Sequence, residues 1–324
     1  MNIIDIYARK KRDMAYIEKE LERGVFSEHA MLRETSVHLL KAGGKRIRPI
    51  FVLLAGELGD YSTETLKLVA VPMELIHMAS LVHDDVIDDA DTRRGQLTVK
   101  SKWDNRIAMY TGDYIFAKAL GVVTQLPNPL VHQIMSKAIV EMSIGEMEQI
   151  RFFFHTGQTV RDYLLRIKRK TALLIAISCQ LGAIAANAPE PLARKLYSYG
   201  YNVGMAFQIR DDVLDLCGTE QQLGKPPGSD VRQGNITLPV LLALREPDRR
   251  ERLLAELDRI QAADGQTNVD TFIGLVRTSV GLKQAERIAE RYIERAIRSL
   301  DALPDRQTKR DLIRIAHFVG SRSN

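Results

Sequence analysis

Apolar residues recur along this chain at intervals of three and four positions, which is the period of an amphipathic α-helix. The pattern holds from Ile3 to about Leu40 and again from Thr63 to Asp89. The same period predicts further helices over Asp104–Gln125, Pro129–Ile150, Val160–Asn187, Pro191–Cys217, Leu238–Leu244, Arg249–Gln261, Val269–Ser279, Leu282–Leu300 and Asp305–Val319. Alternating strand patterns are nearly absent from the sequence, so the chain is predicted to be all-α.

Pro72 lies inside the second long helical pattern. Because the residue before a proline disfavours helical geometry, we expect either a kink or a later helix start there. The breaks at 126–129 and 188–191 are short proline-containing clusters, which are typical connections in a helical bundle. None of them resembles an interdomain linker, and residues 1–324 are predicted to form a single domain.

One connection is longer than the others. Residues 219–235 contain Gly224, Lys225, Pro226, Pro227 and Gly228 and follow an acidic helix end. A long loop in a helical bundle is more often functional than idle. We therefore expect this loop to belong to a functional site.

The composition narrows the class of protein. Apolar residues make up 45% of the 324 residues and charged residues 27%, which excludes a disordered or collagen-like chain. The net charge of +5 is mild, and no nucleic-acid-binding fingerprint is present, so nucleic acid is not expected as a partner. Two isolated cysteines favour a reducing, cytoplasmic location. The longest apolar stretch, Thr171–Ala188, is shorter than the ~20 residues that span a bilayer.

The first acidic cluster lies at the end of the second long helical pattern. Asp84 and Asp88 are four residues apart and share one helix face, with Asp85 beside them. Like charges so close together destabilise the protein unless a cation compensates them, and oxygen-only ligands suit Mg²⁺. A solvated acidic helix end is the alternative for this cluster alone. The glycine and closing glutamate of a calcium-binding loop are missing.

The second acidic cluster repeats the same spacing in an apolar helix, with Asp211, Asp212 and Asp215. Carboxylates avoid apolar surroundings unless they are compensated, so two matched clusters are hard to explain as solvated faces. Together they predict a site for divalent metal and a polyphosphate.

Basic residues near predicted helix ends would neutralise the rest of such a substrate. In the segment 43–49, two glycines allow a close backbone approach, and Lys45 and Arg48 are candidate ligands of a phosphate group. A basic helix entry would give the same pattern. The basic residues at 93–94 and 170–171 are ambiguous candidates, since salt bridges or solvation would explain them as well as phosphate binding would. By itself, His77 is expected to be a packed core histidine.

The combination of these motifs resembles the trans-isoprenyl diphosphate synthase family. The resemblance rests on Gly43-Gly44-Lys45-Arg46-Ile47-Arg48-Pro49, on both acidic motifs and on Gly224-Lys225-Pro226. The segments 81–89, 102–113 and 233–239 are similar to the heptaprenyl subgroup of that family. The resemblance implies an isoprenoid synthase fold, a bundle of about ten or more helices around a deep central cavity. One polyprenyl synthase domain over 1–324 is implied.

The resemblance also implies the substrates and the residues that bind them. Six aspartates are implied to hold Mg²⁺, with three ions expected per site: Asp84, Asp85, Asp88, Asp211, Asp212 and Asp215. Those implied to bind an allylic diphosphate, such as farnesyl diphosphate, are Arg93, Lys170, Thr171, Gln208 and Lys225. Those implied to bind isopentenyl diphosphate without metal are Lys45, Arg48, His77 and Arg94. The residues expected to take part in catalysis are Asp84, Asp85, Asp88, Lys170, Asp211 and Asp212.

Product length is expected to depend on the residues one to two turns before Asp84. Ala79 and Ser80 are small there, whereas short-chain relatives have bulky side chains, so a long product is expected. Heptaprenyl diphosphate for a menaquinone side chain is implied by the subgroup. Asn235 stands where many relatives have lysine, which alters one phosphate contact, and Arg322 is a candidate cap of the closed site.

The heptaprenyl subgroup works with a small non-catalytic subunit, so a heteromer is implied, or a homodimer when the chain is alone. Transient contact with a membrane is expected, because the long polyprenyl product is hydrophobic. The alternatives are a homodimeric synthase of shorter or longer products, a class I terpene cyclase, or a non-catalytic regulatory subunit. A cyclase has a different second metal motif, and a regulatory subunit loses the acidic residues. A scaffold protein would require the two matched clusters to be coincidental.

Overall fold

The computed structural model describes residues 3–220 and 226–321. The α-helices, numbered in chain order, are α1 (Ile3–Arg9), α2 (Lys11–Val25), α3 (Ala30–Lys41), α4 (Ile47–Gly56), α5 (Thr63–Ile87), α6 (Val99–Lys102), α7 (Asn105–Val123), α8 (Pro129–Arg151), α9 (Val160–Ile167), α10 (Leu173–Ala185), α11 (Glu190–Cys217), α12 (Ser229–Arg232), α13 (Leu238–Ala243), α14 (Pro247–Ala262), α15 (Asp270–Arg277), α16 (Val280–Ser299) and α17 (Gln307–Gly320). A π-helix, Lys168–Ala172, joins α9 to α10. The strands β1 (Thr92–Arg93) and β2 (Gln96–Leu97) form an antiparallel hairpin.

The all-α prediction is confirmed, and most predicted helices are present within a few residues of their predicted ends. The helical pattern from Ile3 to about Leu40 comprises three helices, α1, α2 and α3. The predicted helix Val160–Asn187 is interrupted by the π-helix. Helix α4 was missed because Pro49 to Gly56 are all buried, so they show no alternation between apolar and polar faces.

Helix α5 runs through Pro72, so the expectation of a later helix start is wrong. The helix begins at Thr63, where the Ser62 hydroxyl accepts a hydrogen bond from the Thr65 N–H at 3.3 Å. Pro72 is buried among apolar neighbours on the same helix. Packing of the buried face outweighs the cost of one missing backbone hydrogen bond.

The chain divides into two compact units, and neither is continuous in sequence. The first unit comprises residues 1–136, 174–197 and 302–314. The second comprises 137–173, 198–301 and 315–324. The single domain over 1–324 stays a prediction.

The first unit is organised around α5, which packs against α7, α4 and α2. The side chains of Val69, Met73 and Ile76 are at most 1% exposed. Helices α4 and α10 approach closely at Gly182, where a Cβ atom would come within 2.8 Å of the Val52 Cα. The absence of a side chain therefore permits this contact.

The core of the second unit contains α13, which packs against α16. All residues of α13 are buried. Tyr163, Tyr199 and Phe272 are the largest fully buried side chains of this unit. Helix α9 begins with a capping box, in which Thr159 and Asp162 satisfy each other's backbone N–H groups. That cap fixes the first turn of the helix that carries Tyr163.

One helix of the described ranges is long and apolar enough to cross a membrane. It is α5, with a mean hydropathy of 1.4 over its most apolar window, and 67% of that window is buried inside the protein. A core helix meets the same criteria, so the observation is weak evidence for a membrane span. The sequence had indicated Thr171–Ala188 as the longest apolar stretch.

Two glycines of the first unit give a matched test of this packing. Gly182→Ala would force a Cβ into the backbone of α4, whereas Gly121 in α7 faces open space. We expect Gly182→Ala to lower the free energy of unfolding by about 1–3 kcal/mol. Gly121→Ala should leave it unchanged or raise it by up to ~1 kcal/mol. Urea unfolding followed by circular dichroism measures both free energies; equal effects would contradict the close packing of α10 on α4 at Gly182.

Candidate active site

In the first unit, the acidic motif lies at the C-terminus of α5. Asp84 and Asp85 are in the last turn, and Asp88 is the C-cap, whose N–H donates to the Asp84 carbonyl at 2.7 Å. The chain then turns at Asp89, which has a φ of 50°. Asp85 is 2% exposed, and burial raises the pKa of its carboxyl although Arg93 opposes the shift.

The β1–β2 hairpin places two predicted arginines beside this motif. Its turn residues, Arg94 and Gly95, have φ angles of 53° and 76°, as in a two-residue type I′ turn. The Arg93 Nε donates to Asp85 at 2.6 Å, and Arg94 donates to the Gly43 carbonyl. A hydrogen bond of 2.7 Å between the His38 ring and the Leu97 carbonyl holds the hairpin against α3.

The basic segment 43–46 connects α3 to α4 through backbone that favours glycine. Gly43, with a φ of 75°, and Gly44, with a φ of 154°, precede Arg46, whose φ is 47°. Arg46 is 7% exposed and pairs with Glu18 at 2.9 Å and with Glu74 at 3.3 Å. The sequence interpretation assigned no role to Arg46 or Glu74. The signal available was the position of Glu74, one helical turn before His77 on α5.

Arg48 and His77 lie close to the arginines of the loop and hairpin. Burial and the Arg94 charge lower the pKa of Arg48 to about 10, whereas Glu74 opposes the shift. Burial and neighbouring arginines, Arg48 foremost, lower the pKa of His77 well below 6.5. His77 therefore belongs to a cationic cluster with Arg46, Arg48, Arg93 and Arg94, and it is not the isolated core histidine that its sequence context alone suggested. Lys45 is exposed, and its carbonyl accepts a hydrogen bond from Tyr7.

The two residues expected to set product length differ in exposure. Ala79 is fully buried, whereas Ser80 is partly exposed. The Ser80 hydroxyl donates to the His77 carbonyl at 2.9 Å. Ser80 is one turn before Asp84 and shares its helix face.

In the second unit, the acidic motif lies on the last turns of α11. Asp212 and Asp215 are at most 3% exposed, and Asp211 is partly exposed. The Tyr163 hydroxyl donates to one oxygen of Asp212 at 2.6 Å, and the Gln208 amide donates to the other at 2.8 Å. Burial and the charge of Asp230 raise the pKa of Asp212 to about 8. This buried aspartate is therefore oriented by two donors; the contribution of Tyr163 was not foreseen from the sequence.

Asp215 is tied to the loop that follows α11. Its Oδ2 accepts from the Asp230 N–H at 3.2 Å, and its carbonyl accepts from the Gly228 N–H at 2.9 Å. The Asn235 N–H donates to the Asp230 carbonyl at 2.8 Å. The loop predicted to be functional thus contacts the second acidic motif. Three predicted residues, Gly224, Lys225 and Arg322, lie outside the described residues.

The π-helix presents Lys170 and Thr171. Thr171 donates to Gln208 at 2.7 Å, and Lys170 pairs with Glu146 at 2.9 Å. Gly145 and Gly204 allow neighbouring helices to approach this segment, because a Cβ at either position would come within 2.7 Å of it. Single π-turns often occur at functional sites.

The structure therefore gathers the predicted residues in two groups, one in each unit. The first group is Lys45, Arg48, His77, Ala79, Ser80, Asp84, Asp85, Asp88, Arg93 and Arg94, and the second is Lys170, Thr171, Gln208, Asp211, Asp212 and Asp215. Within 3–220 and 226–321, no group of three or more His, Cys, Asp or Glu side chains is arranged to hold a metal ion by itself. Mg²⁺ is usually bound by one or two carboxylates, with water and substrate phosphates as its remaining ligands. The meeting of both triads around one substrate stays a prediction.

Comparison with known proteins places the chain in a family. The polyprenyl synthetase family matches residues 29–274. Heptaprenyl diphosphate synthase component 2 of Geobacillus stearothermophilus is 51% identical over 322 residues, which cover 99% of each protein. The crystal structure of heptaprenyl diphosphate synthase from Staphylococcus aureus gives a TM-score of 0.88 at 38% identity, covering 100% of this chain and 99% of that one.

A polyprenyl synthase from Caulobacter crescentus, crystallised with calcium and isoprenyl diphosphate, gives a TM-score of 0.92 at 30% identity, covering 99% of this chain and 98% of that one. The fold is the all-α isoprenoid synthase fold, which defines the class of protein. The chain belongs to the polyprenyl synthetase family. The family resemblance inferred from the motifs is confirmed.

The depressed pKa of His77 predicts a pH dependence of stability. Folded His77 stays neutral below pH 6.5, whereas the unfolded chain takes up a proton there, so stability is lost as the pH falls. We expect His77→Gln to flatten the stability profile between pH 6.5 and 5 by up to ~1.4 kcal/mol per pH unit. Denaturant unfolding of both proteins across this range measures the difference. Parallel profiles would show that His77 is protonated in the folded state.

Proposed function

We propose that this chain is a trans-prenyltransferase that condenses an allylic diphosphate with successive isopentenyl diphosphates to give heptaprenyl diphosphate. The observation that carries the proposal is the pair of Asp-Asp-x-x-Asp motifs on α5 and α11, in a chain similar over 99% of its length to a heptaprenyl diphosphate synthase component. Farnesyl diphosphate is the proposed primer, and menaquinone side-chain synthesis is the proposed use of the product.

The six aspartates of the two motifs are proposed to hold Mg²⁺, three ions per site, and the family as a whole generally uses this metal. The chemistry of the donors fits, since all are carboxylate oxygens. Burial raises the pKa of Asp85 and Asp212, so a bound cation would stabilise them as anions. When bound, Mg²⁺ supplies electrostatic stabilisation of the charge that develops on the departing diphosphate.

The allylic diphosphate is proposed to be bound by Arg93, Lys170, Thr171, Gln208 and Lys225. Hydrogen bonds position several of these groups: Arg93 is held by Asp85 at 2.6 Å, and Thr171 donates to Gln208 at 2.7 Å. Tyr163 and Gln208 fix both oxygens of Asp212, so the carboxylate is oriented before substrate binds. Preorganised groups of this kind stabilise charge without reorganisation during the reaction.

Isopentenyl diphosphate is proposed to bind at the cationic cluster of the first unit, through Lys45, Arg48, His77 and Arg94. Guanidinium groups bind phosphate oxygens in a bidentate manner, so no metal is needed there. The neutral state of His77, which follows from its low pKa, allows it to donate one hydrogen bond without adding a further positive charge.

In the reaction, the allylic C–O bond breaks and its electron pair leaves with diphosphate, which generates an allylic cation. The double bond of isopentenyl diphosphate attacks the cationic carbon and forms the new C–C bond. A proton is then lost to the released diphosphate, which restores a double bond in trans geometry. Exclusion of water by apolar side chains protects the cation. The product is again an allylic diphosphate and enters the next cycle.

A small second subunit is proposed as partner, since relatives carry the name component 2. Helix α8 offers a surface for another chain, because Val140, Ile144 and Met147 are 55%, 38% and 67% exposed at helical spacing. In the absence of that subunit, a homodimer is proposed. We also propose that the protein is cytoplasmic and that residues 1–324 form a single domain. The product is proposed to make transient contact with a membrane.

The function is tested by incubating the chain with farnesyl diphosphate, isopentenyl diphosphate and Mg²⁺, with and without candidate small subunits. Mass spectrometry should show heptaprenyl diphosphate, and EDTA should abolish turnover. Asp84→Asn and Asp211→Asn should each reduce turnover by about 10²-fold or more. Turnover that persists with EDTA would exclude the proposed metal role, and a cyclic hydrocarbon product would indicate a cyclase instead.

Product length gives a separate prediction. Ala79 is fully buried on α5, so Ala79→Phe would place a ring where elongating prenyl groups are proposed to pass. We expect products shortened by several isoprene units, resolved by reversed-phase chromatography. Ser80→Ala, which adds no bulk, serves as the control and should leave the length unchanged. An unchanged product from Ala79→Phe would contradict the role assigned to this position.

A further inference from the structure

Glu74 is a buried carboxylate beside the cationic cluster of the first unit. It is 2% exposed, and its Oε1 accepts from the Arg46 Nη1 at 3.3 Å. The other carboxylate oxygen, Oε2, is buried and has no hydrogen-bond partner among residues 3–220 and 226–321. A buried carboxylate oxygen without a donor is costly, so its charge must be compensated by nearby cations.

Three arginines provide that compensation. The Glu74 charge acts on Arg46, Arg48 and Arg94, and in each case it favours the charged guanidinium. The arginines repel one another, because the charge of Arg94 lowers the pKa of Arg48 and the charge of Arg46 lowers the pKa of Arg94. The Nε of Arg48 is buried and, in the described chain, without a hydrogen-bond partner. Glu74 is therefore the shared counter-ion of a group of mutually repelling cations.

Glu74 also acts on the backbone of the loop 43–46 through Arg46. The Arg46 Nη1 that contacts Glu74 also donates to the Gly43 carbonyl at 3.5 Å, and Arg94 donates to the same carbonyl. A Cβ at Gly44 would lie 3.2 Å from the Arg46 Nη1, so the loop and this guanidinium are packed closely. A displaced Arg46 would therefore move the loop and the hairpin arginine together.

Other acidic groups near the cluster have different partners. Glu18, on α2, pairs with the outer side of Arg46 through two hydrogen bonds of 2.9 and 3.0 Å. Asp85 pairs with Arg93. Asp85 also acts on Arg94, but Glu74 is the carboxylate that acts on both Arg48 and Arg94, the arginines proposed to bind isopentenyl diphosphate.

We propose that Glu74 is a positioning residue for the metal-free diphosphate: through Arg46 and the Gly43 carbonyl, it holds Arg48 and Arg94 in the geometry that binds isopentenyl diphosphate. The inference rests on the proposed function and deepens it. Glu74 does not itself contact substrate in this account, because a carboxylate would repel a diphosphate.

The proposal makes a prediction opposite in sign to that of simple electrostatics. Removing a negative charge near an anion site raises the local positive potential, which by itself would tighten diphosphate binding. If positioning dominates, Glu74→Gln should instead raise the KM for isopentenyl diphosphate by about tenfold. The KM for farnesyl diphosphate should change by less than about twofold, because its proposed ligands do not depend on Glu74.

Two further variants separate charge from geometry. Glu74→Asp keeps the charge but withdraws the carboxylate by one methylene, and Arg46→Lys keeps the charge but loses the guanidinium fork. Both should raise the KM for isopentenyl diphosphate if geometry matters, whereas both should be near wild type if only charge matters. Binding of inorganic pyrophosphate without Mg²⁺, measured by calorimetry, should weaken in parallel.

Glu57→Gln is the matched control for loss of a charge pair in the same unit. Glu57 pairs with Lys10 at 2.6 Å and accepts a hydrogen bond from Thr308, outside the proposed substrate groups. It should lower thermal stability without changing either KM. A Glu74→Gln protein with unchanged or lower KM for isopentenyl diphosphate, or with equal changes for both substrates, would overturn the proposal. Absence of prenyl transfer in the wild type would instead overturn the proposed function.

Discussion

Arg46 lies between two carboxylates, Glu18 and Glu74, and this pairing keeps a strained connection in place. Its φ of 47° is unfavourable for a residue with a side chain, and two glycines with positive φ precede it. The ion pairs of Arg46 with Glu18 at 2.9 Å and with Glu74 at 3.3 Å offset that cost. They allow α4 to begin at a position that places Arg48 in the cationic cluster. The local backbone and the charge of the cluster therefore depend on the same side chain.

The same constraint recurs at both acidic motifs, where the second aspartate is buried and oriented by the protein. Asp85 is held by Arg93, and Asp212 by Tyr163 and Gln208. In each motif the first aspartate is more exposed and remains accessible to a ligand. In each motif the buried carboxylate is thus held by hydrogen bonds, and burial raises its pKa.

Several features that position the site involve backbone rather than side-chain chemistry. The type I′ turn at Arg94 and Gly95 aims one arginine at Asp85 and the next at Gly43. The π-helix at 168–172 changes the helical register immediately before α10 and presents Lys170 and Thr171. Irregular segments of this kind have lower intrinsic stability than regular helix and often occur at functional sites.

The sequence alone determined the all-α class, most helix positions and the chemistry of the acidic and basic motifs, because these depend on local periodicity and residue type. It did not reveal α4, in which Pro49 to Gly56 are all buried. It left open whether the helix around Pro72 is kinked or starts later, and tertiary packing of the buried face decides that α5 continues through this residue. It also missed the roles of Glu74, Arg46 and Tyr163. Their partners are 28 to 49 residues away in sequence, so only the tertiary structure brings the charges and hydrogen bonds together.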